Sequence, residues 1–212
     1  QVSYGTCSVT SAATAVTANN CANADLANLT ISTGTLAPAF AAATIAYTVS
    51  VPNATSSMTV TPTLSDVLAS VKVNGVTVPS GSPSSAIALS VGSNVITTIV
   101  TAQNGTTTKT YTITVTRAAS NNAYLSNLVP NSGTLTPAFA QATISYTISV
   151  PNTTTSMTVT PTVADATATV KVNAVTVASG TPSSAIALAV GSNVITTVVT
   201  AQDGTTTKTY TI

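Results

Sequence analysis

The sequence predicts an all-β protein made of two tandem antiparallel β-sandwiches. Two observations carry this. Shifted by 99 positions the chain lies on itself: residues 26–113 align with 125–212 over 88 positions without a gap, and 66 of them are identical. Within each copy, short runs alternate apolar and polar residues with a period of two, and Pro, Asn and Gly punctuate them about every 8–12 residues. A repeat this long is a whole small domain rather than one turn of a solenoid. Duplication of a domain gives reach, valency or a regular spacing. It builds nothing asymmetric of the kind a catalytic site needs.

The elements of the first copy follow in order. An opening strand is expected near Leu26–Ile31. Ile45, Tyr47, Val49 and Val51 alternate with Thr44, Ala46, Thr48 and Ser50, a half-buried strand that Pro52-Asn53 ends. Met58 and Val60 mark the next strand, stopped near Pro62. Val71-Lys72-Val73 and Val76-Thr77-Val78 flank Asn74-Gly75, a strong hairpin signal; the second copy has Ala174 at the Gly75 position, so its turn must tolerate a Cβ or change type. Ile87 and Leu89 precede Gly92, residues 94–103 form a long strand, and Asn104-Gly105 turns into a last strand over Lys109–Thr116. That makes about seven short strands per copy, the number expected of a sandwich.

The ordered set Leu26, Leu29, Gly34, Leu36, Pro38, Phe40, Tyr47, Val71, Val73, Asn74, Gly75, Leu89, Gly92, Asn94, Val100-Thr101-Ala102, Gly105, Tyr111 and Arg117 resembles the bacterial cadherin-like β-sandwich domain. That is an immunoglobulin-like module found in tandem in secreted and surface proteins. The resemblance covers both copies and implies a spacer, stalk or binding unit. It does not extend to calcium, because four scattered Asp cannot supply six to eight oxygens. The domain plan is an N-terminal segment over 1–25, a sandwich over 26–117, a linker over 118–124 and a second sandwich over 125–212. The linker is short, polar and free of Pro and Gly, which predicts limited freedom between the sandwiches.

Composition narrows the function. Charged residues make up 4% of the chain against about 25% in an ordinary soluble domain. A net charge of +1 spread this thinly makes no basic patch, so no nucleic-acid partner is expected; it also offers little repulsion between copies. Mean hydropathy is +0.44, yet Thr, Ser, Asn, Gly or Pro interrupts every apolar run before the length a membrane span needs. The chain has no His, which excludes Ser–His–Asp and Cys–His catalysis. No carboxylate pair is evident within a copy, and the glycines sit singly at turns rather than in a phosphate loop. No enzyme activity, cofactor or metal is expected.

A few residues stand outside the regular pattern. Cys7 and Cys21, both outside the repeats, are expected to form a disulfide in an oxidising compartment; two buried thiols are the alternative. Tyr47, Tyr111, Tyr146 and Tyr210 occupy core-facing positions, whereas Tyr4 and Tyr124 are contact candidates. Asp66, Lys72 and Lys109 recur as Asp165, Lys171 and Lys208. This set invites comparison with a Lys–Asp crosslink, but solvated charges are the rule. Four Asn-x-Thr sequons, at Asn28, Asn53, Asn104 and Asn152, are expected by chance in a chain so rich in Asn and Thr. The start at Gln1 fits a processed secreted chain or a trimmed one.

The ends carry the functional expectation. Carried backwards, the same offset places Val16-Thr17 on Val115-Thr116, so residues 8–17 sit where the last strand of a preceding domain would sit. The second copy stops at Ile212, without equivalents of Thr114 to Arg117. Head-to-tail strand addition between copies answers both ends and builds a filament. Its candidate interface is Ser8, Val9, Thr10 and Val16 with Ile212. The β-branched residues Val95, Ile99, Val194 and Val198, on the strand face opposite the core, complete the set. The expected partners are copies of the chain, possible host glycans as ligands of an adhesin, and no membrane-spanning segment. The expected location is extracellular or at the cell surface. The alternative plain readings are a packed N-terminal cap and a two-domain adhesin stalk, with a non-catalytic appendage of a larger secreted enzyme behind them.

Overall fold

The computed structural model describes residues 21–212. They form two compact units that divide between Ala118 and Ala119. No helix occurs among the described residues.

Unit 1 contains nine strands: β1 Leu26–Ile31, β2 Ala46–Val51, β3 Ser57–Met58, β4 Val60–Leu64, β5 Ser70–Val73, β6 Val76–Thr77, β7 Ile87–Ala88, β8 Gly92–Thr101 and β9 Thr108–Arg117. A five-stranded sheet in the order β2-β9-β8-β5-β6 forms one layer; the pairs β1-β4 and β3-β7 make up the other. Between them lie Leu26, Leu29, Tyr47, Val49, Val51, Met58, Val60, Ile96, Val100, Tyr111, Ile113 and Val115, all buried. Alternation produces this directly, since every second residue of β8 and β9 points into the core.

Aromatic residues fix the layers against each other. Phe40 stacks on Tyr47 at 6.2 Å and tilts against Tyr111 at 6.5 Å. The Tyr111 hydroxyl accepts from Leu26 N–H at 3.0 Å and donates to Ala42 C=O at 3.2 Å, tying the first strand to the last. Gly34 adopts φ +78°, and a Cβ there would lie 2.5 Å from Val49 Cγ1, so both conformation and space require glycine.

Unit 1 has nine strands where about seven are expected, and three further details differ from the sequence reading. β4 runs through Pro62 instead of stopping there; its only ladder partner among the described residues is β1, so a residue without an N–H is tolerated. β2 pairs with β9 in parallel, so the main sheet is not wholly antiparallel. Ala174 keeps the hairpin of the first copy by adopting φ +68°, beside Asn173 at +46°.

Unit 2 contains β10 Leu125–Pro130, β11 Ser156–Met157, β12 Val159–Val163, β13 Thr169–Val172, β14 Val175–Val177, β15 Ile186–Ala187, β16 Thr196–Thr200 and β17 Thr207–Thr211. It repeats the core, with Leu125, Leu128, Tyr146, Met157, Val159, Ile195, Val199 and Tyr210 buried. Its main sheet has four strands, β14-β13-β16-β17. Residues 119–124 lie against this unit: Ser120 N–H donates to Gln202 Oε1 at 3.0 Å, and its hydroxyl donates to Asp165.

Candidate functional site

The two copies share a sequence but differ at one sheet edge. In unit 1 the last strand lies between β2 and β8, and both ladders run on to Arg117: Val51 faces it on one side and Gly92 on the other. In unit 2 the residues equivalent to Thr114–Arg117 fall beyond Ile212. The parallel ladder reduces to one bridge, Ser145 with Thr211, and residues 148–150 are not a strand. β16 and β17 are five residues each where β8 and β9 are ten. The antiparallel ladder closes with Ile195 and Ile212 exchanging hydrogen bonds of 2.8 and 2.9 Å.

The result is an open slot of about 430 Å³ between residues 146–150 and 191–195, floored by Met157, Leu188 and Ile212. Packing records what is uncovered. Val49, Val51 and Leu89 are buried in unit 1, whereas Ile148, Val150 and Leu188 at the same positions are only half-buried. A second hollow of about 400 Å³ adjoins it through Val150, Leu188, Gly191 and Asn193. This is where the Arg117 side chain lies in unit 1, donating to Asn53 C=O at 2.8 Å and to Leu89 C=O at 2.7 Å. No charged side chain lines either hollow. Both hollows occupy the space that Thr114–Arg117 fill in unit 1.

The proposed interface residues fall in different places. Val194 is 65% exposed on the slot's rim and Ile212 is partly buried on its floor, so the structure brings these two together. Val198 is half-buried on the outer face of β16. In unit 1, Val95 is 59% exposed and Ile99 half-buried on the outer face of β8, with Thr97 between them and Thr114 and Thr110 opposite across the ladder. Ser8, Val9, Thr10 and Val16, with Cys7 and Tyr4, lie outside the described residues; Cys21 is described, and its C=O accepts from Asn104 N–H at 3.0 Å.

Sequence reasoning did not single out Ile148, Val150, Leu188 or Asn193. The available signal was the offset itself: these are the residues whose counterparts touch Thr114–Arg117.

The remaining charges serve local structure. Lys109 pairs with Asp25 rather than Asp66, whose carboxylate accepts from Leu68 N–H in its own turn. The set Asp66, Lys72 and Lys109 is therefore not assembled for a crosslink. A hydrogen bond from the Ser120 hydroxyl, with others from Thr167, holds the Asp165 carboxyl below its usual range. Asp203 is held low by Thr206 and by the backbone of Thr205 and Thr206. No group of His, Cys, Asp and Glu able to hold a metal occurs among the described residues. A shallow hollow of about 490 Å³ lies at Asn121, Asn122, Thr206, Thr207 and Tyr124, where Lys208 Nζ sits 4.2 Å above the Tyr124 ring.

The family model described as "Cadherin-like beta sandwich domain" matches residues 26–118 and 125–212. A protein of Evansella cellulosilytica named "Putative membrane protein" is 47% identical over 95 residues, which are 45% of this chain and 14% of that protein. The chain thus spans a small part of its relative's length. Two solved structures align more loosely. A "putative glycoside hydrolase" from Bacteroides thetaiotaomicron has a TM-score of 0.31 and 17% identity, over 66% of this chain and 35% of that one. The protein SGBP-B of the Bacteroides ovatus mixed-linkage glucan utilization locus, in complex with a mixed-linkage heptasaccharide, has a TM-score of 0.22 and 12% identity, over 87% of this chain and 70% of that one. No helix among the described residues is long and apolar enough to cross a membrane.

Proposed function

The chain belongs to the cadherin-like β-sandwich domain family, and from that premise we propose that it is a non-catalytic structural module of the cell surface that joins other copies head-to-tail by β-strand addition. The observation that supports this reading is the edge strand of each main sheet, β6 and β14, where Val76 and Val175 are 59% and 56% exposed. An edge of this kind is a template for an incoming strand, and a strand fixed by backbone ladder bonds needs little side-chain identity. The contact is heterologous, donor region to sheet edge, so repetition gives a fibre rather than a closed ring. Scarce charge favours the same outcome, since copies repel one another weakly. A Cys7–Cys21 bond belongs to this reading as the tie that pins the N-terminal segment, and two free thiols in native material by mass spectrometry would remove it.

Electron microscopy and sedimentation of the full chain test the assembly. Filaments are expected, with folded monomers after deletion of residues 1–22. Monodisperse particles at high concentration, unchanged by the deletion, leave a stalk module instead. That second reading draws on the Evansella protein, named a putative membrane protein, in which the matched region is 14% of the length. Binding of the chain on a glycan array would move the reading toward an adhesin.

A further inference from the structure

We propose that the hollow of unit 2 at Tyr124 and Lys208 binds a uronic-acid glycan, with Lys208 taking a sugar carboxylate and Tyr124 the sugar ring. The whole lining belongs to unit 2, and the site does not depend on how copies associate.

Three observations carry this. The first is a lysine that one copy pairs and the other does not. Lys109 Nζ donates to Asp25 Oδ1 at 2.7 Å and to Ala42 C=O at 2.8 Å, so its charge is answered within unit 1. The 99-residue offset puts Tyr124 in the place of Asp25. Lys208 Nζ lies 4.2 Å from the centre of that ring and makes no ion pair or hydrogen bond with the described residues. The acids of unit 2 are engaged elsewhere. Asp203 accepts from Thr205 and Thr206, and Asp165 from Ser120 and Thr167. A ring attracts an ammonium without neutralising it. Lys208 is thus left to form a charge-assisted bond with an incoming carboxylate.

The second is the set of donors around it. Asn122 Oδ1 accepts from Tyr124 N–H at 3.0 Å, which holds the amide in place, while its Nδ2 donates to none of the described residues. The Asn121 amide and the Thr207 and Tyr124 hydroxyls are likewise unengaged among the described residues. Neutral amides and hydroxyls beside a single cation suit a ligand with many hydroxyls and one carboxylate per unit.

The third is shape. The hollow is shallow, with a volume of about 490 Å³, and Tyr124 is 40% exposed beside it. A tyrosine presents a rigid amphipathic surface at little conformational cost. Its ring can meet the C–H face of a pyranose while its hydroxyl bonds a neighbouring sugar oxygen. An acidic peptide would bring the carboxylate but no flat C–H face for this ring.

The test is equilibrium dialysis of the full chain with oligomers of galacturonic, glucuronic and mannuronic acid. The controls are neutral galactose, glucose and mannose oligomers of the same length, and oligo-aspartate. At least one uronate oligomer is expected to bind about tenfold more tightly than its neutral counterpart and than oligo-aspartate, the worth of one charge-assisted bond. Lys208→Gln is expected to weaken it by a similar factor. Tyr124→Asp is expected to weaken it at least as much and to stay folded by thermal unfolding, because it copies the pair that Asp25 makes with Lys109 in unit 1. Lys109→Gln is expected to bind as wild type does. The proposal is overturned if no uronate oligomer binds, or if the neutral oligomers or oligo-aspartate bind equally well. It is also overturned if binding survives Lys208→Gln or Tyr124→Asp, or falls equally in Lys109→Gln. Electron microscopy of the same samples separates this site from the assembly reading. Uronate binding without filaments keeps the site and removes the polymer, and filaments without binding do the reverse.

Discussion

Lys109 Nζ lies 2.7 Å from Asp25 Oδ1, whereas the lysine at the same place in the second copy, Lys208, sits over the ring of Tyr124, the residue that replaces Asp25. An ion pair and a cation–π contact thus hold the same strand against the same entry segment. The Asp25 hydrogen bond is the main cause that raises the Lys109 pKa. The pair is open to water, with side chains 28% and 47% exposed, and Lys109 keeps a second bond to Ala42 C=O at 2.8 Å. Asp25→Asn should therefore cost less than about 1 kcal/mol, and the loss should shrink further in high salt. Urea unfolding at two ionic strengths measures this.

Ala174 shows what one methyl costs. It holds φ +68° where the first copy has Gly75, and a Cβ at that position meets no atom within 4 Å in unit 1. The strain is therefore conformational and not a clash. Ala174→Gly should stabilise unit 2 by about 1 kcal/mol, and Gly75→Ala should weaken unit 1 by a similar amount. Thermal unfolding of the two variants should shift in opposite directions.

Thr98 and Thr197 are fully buried on the inward faces of β8 and β16, and their Oγ1 atoms have no hydrogen-bond partner among the described residues. A buried hydroxyl without a partner carries its desolvation cost uncompensated. Thr98→Val keeps the shape and removes the polar atom, so it should stabilise unit 1 by about 1 kcal/mol. A lower midpoint in denaturant would show that the hydroxyl is satisfied in solution.

Acid should weaken unit 2 through Asp203. Its carboxylate accepts from Thr205 and Thr206 N–H at 2.9 and 2.8 Å and from Thr206 Oγ1 at 2.6 Å, and these bonds lower its pKa in the folded chain. A carboxyl lowered by folding adds stability in full above its unfolded value of about 4, and that contribution is lost as pH falls through the folded value. Asn104 makes the equivalent turn in unit 1 with an amide that does not titrate. Asp203→Asn should flatten the fall in melting temperature below about pH 4 without abolishing it, because Asp165 is lowered as well. An unchanged acid slope would place the sensitivity elsewhere.

Core and site differ in how legible they were in the sequence. A period of two was enough to bury Tyr47, Ile96, Val100 and Tyr111 correctly, because each sits in a strand with one dry face. Pro62 misled, since a proline ends a central strand, whereas among the described residues β4 carries a strand ladder on one side alone. That Val49 and Asn94 flank the same residue, Val115, depends on the parallel pairing of β2 with β9, a contact between distant segments that no local pattern encodes. The Val95 and Ile99 face was legible as exposed, but the threonines that interrupt it come from the neighbouring strand.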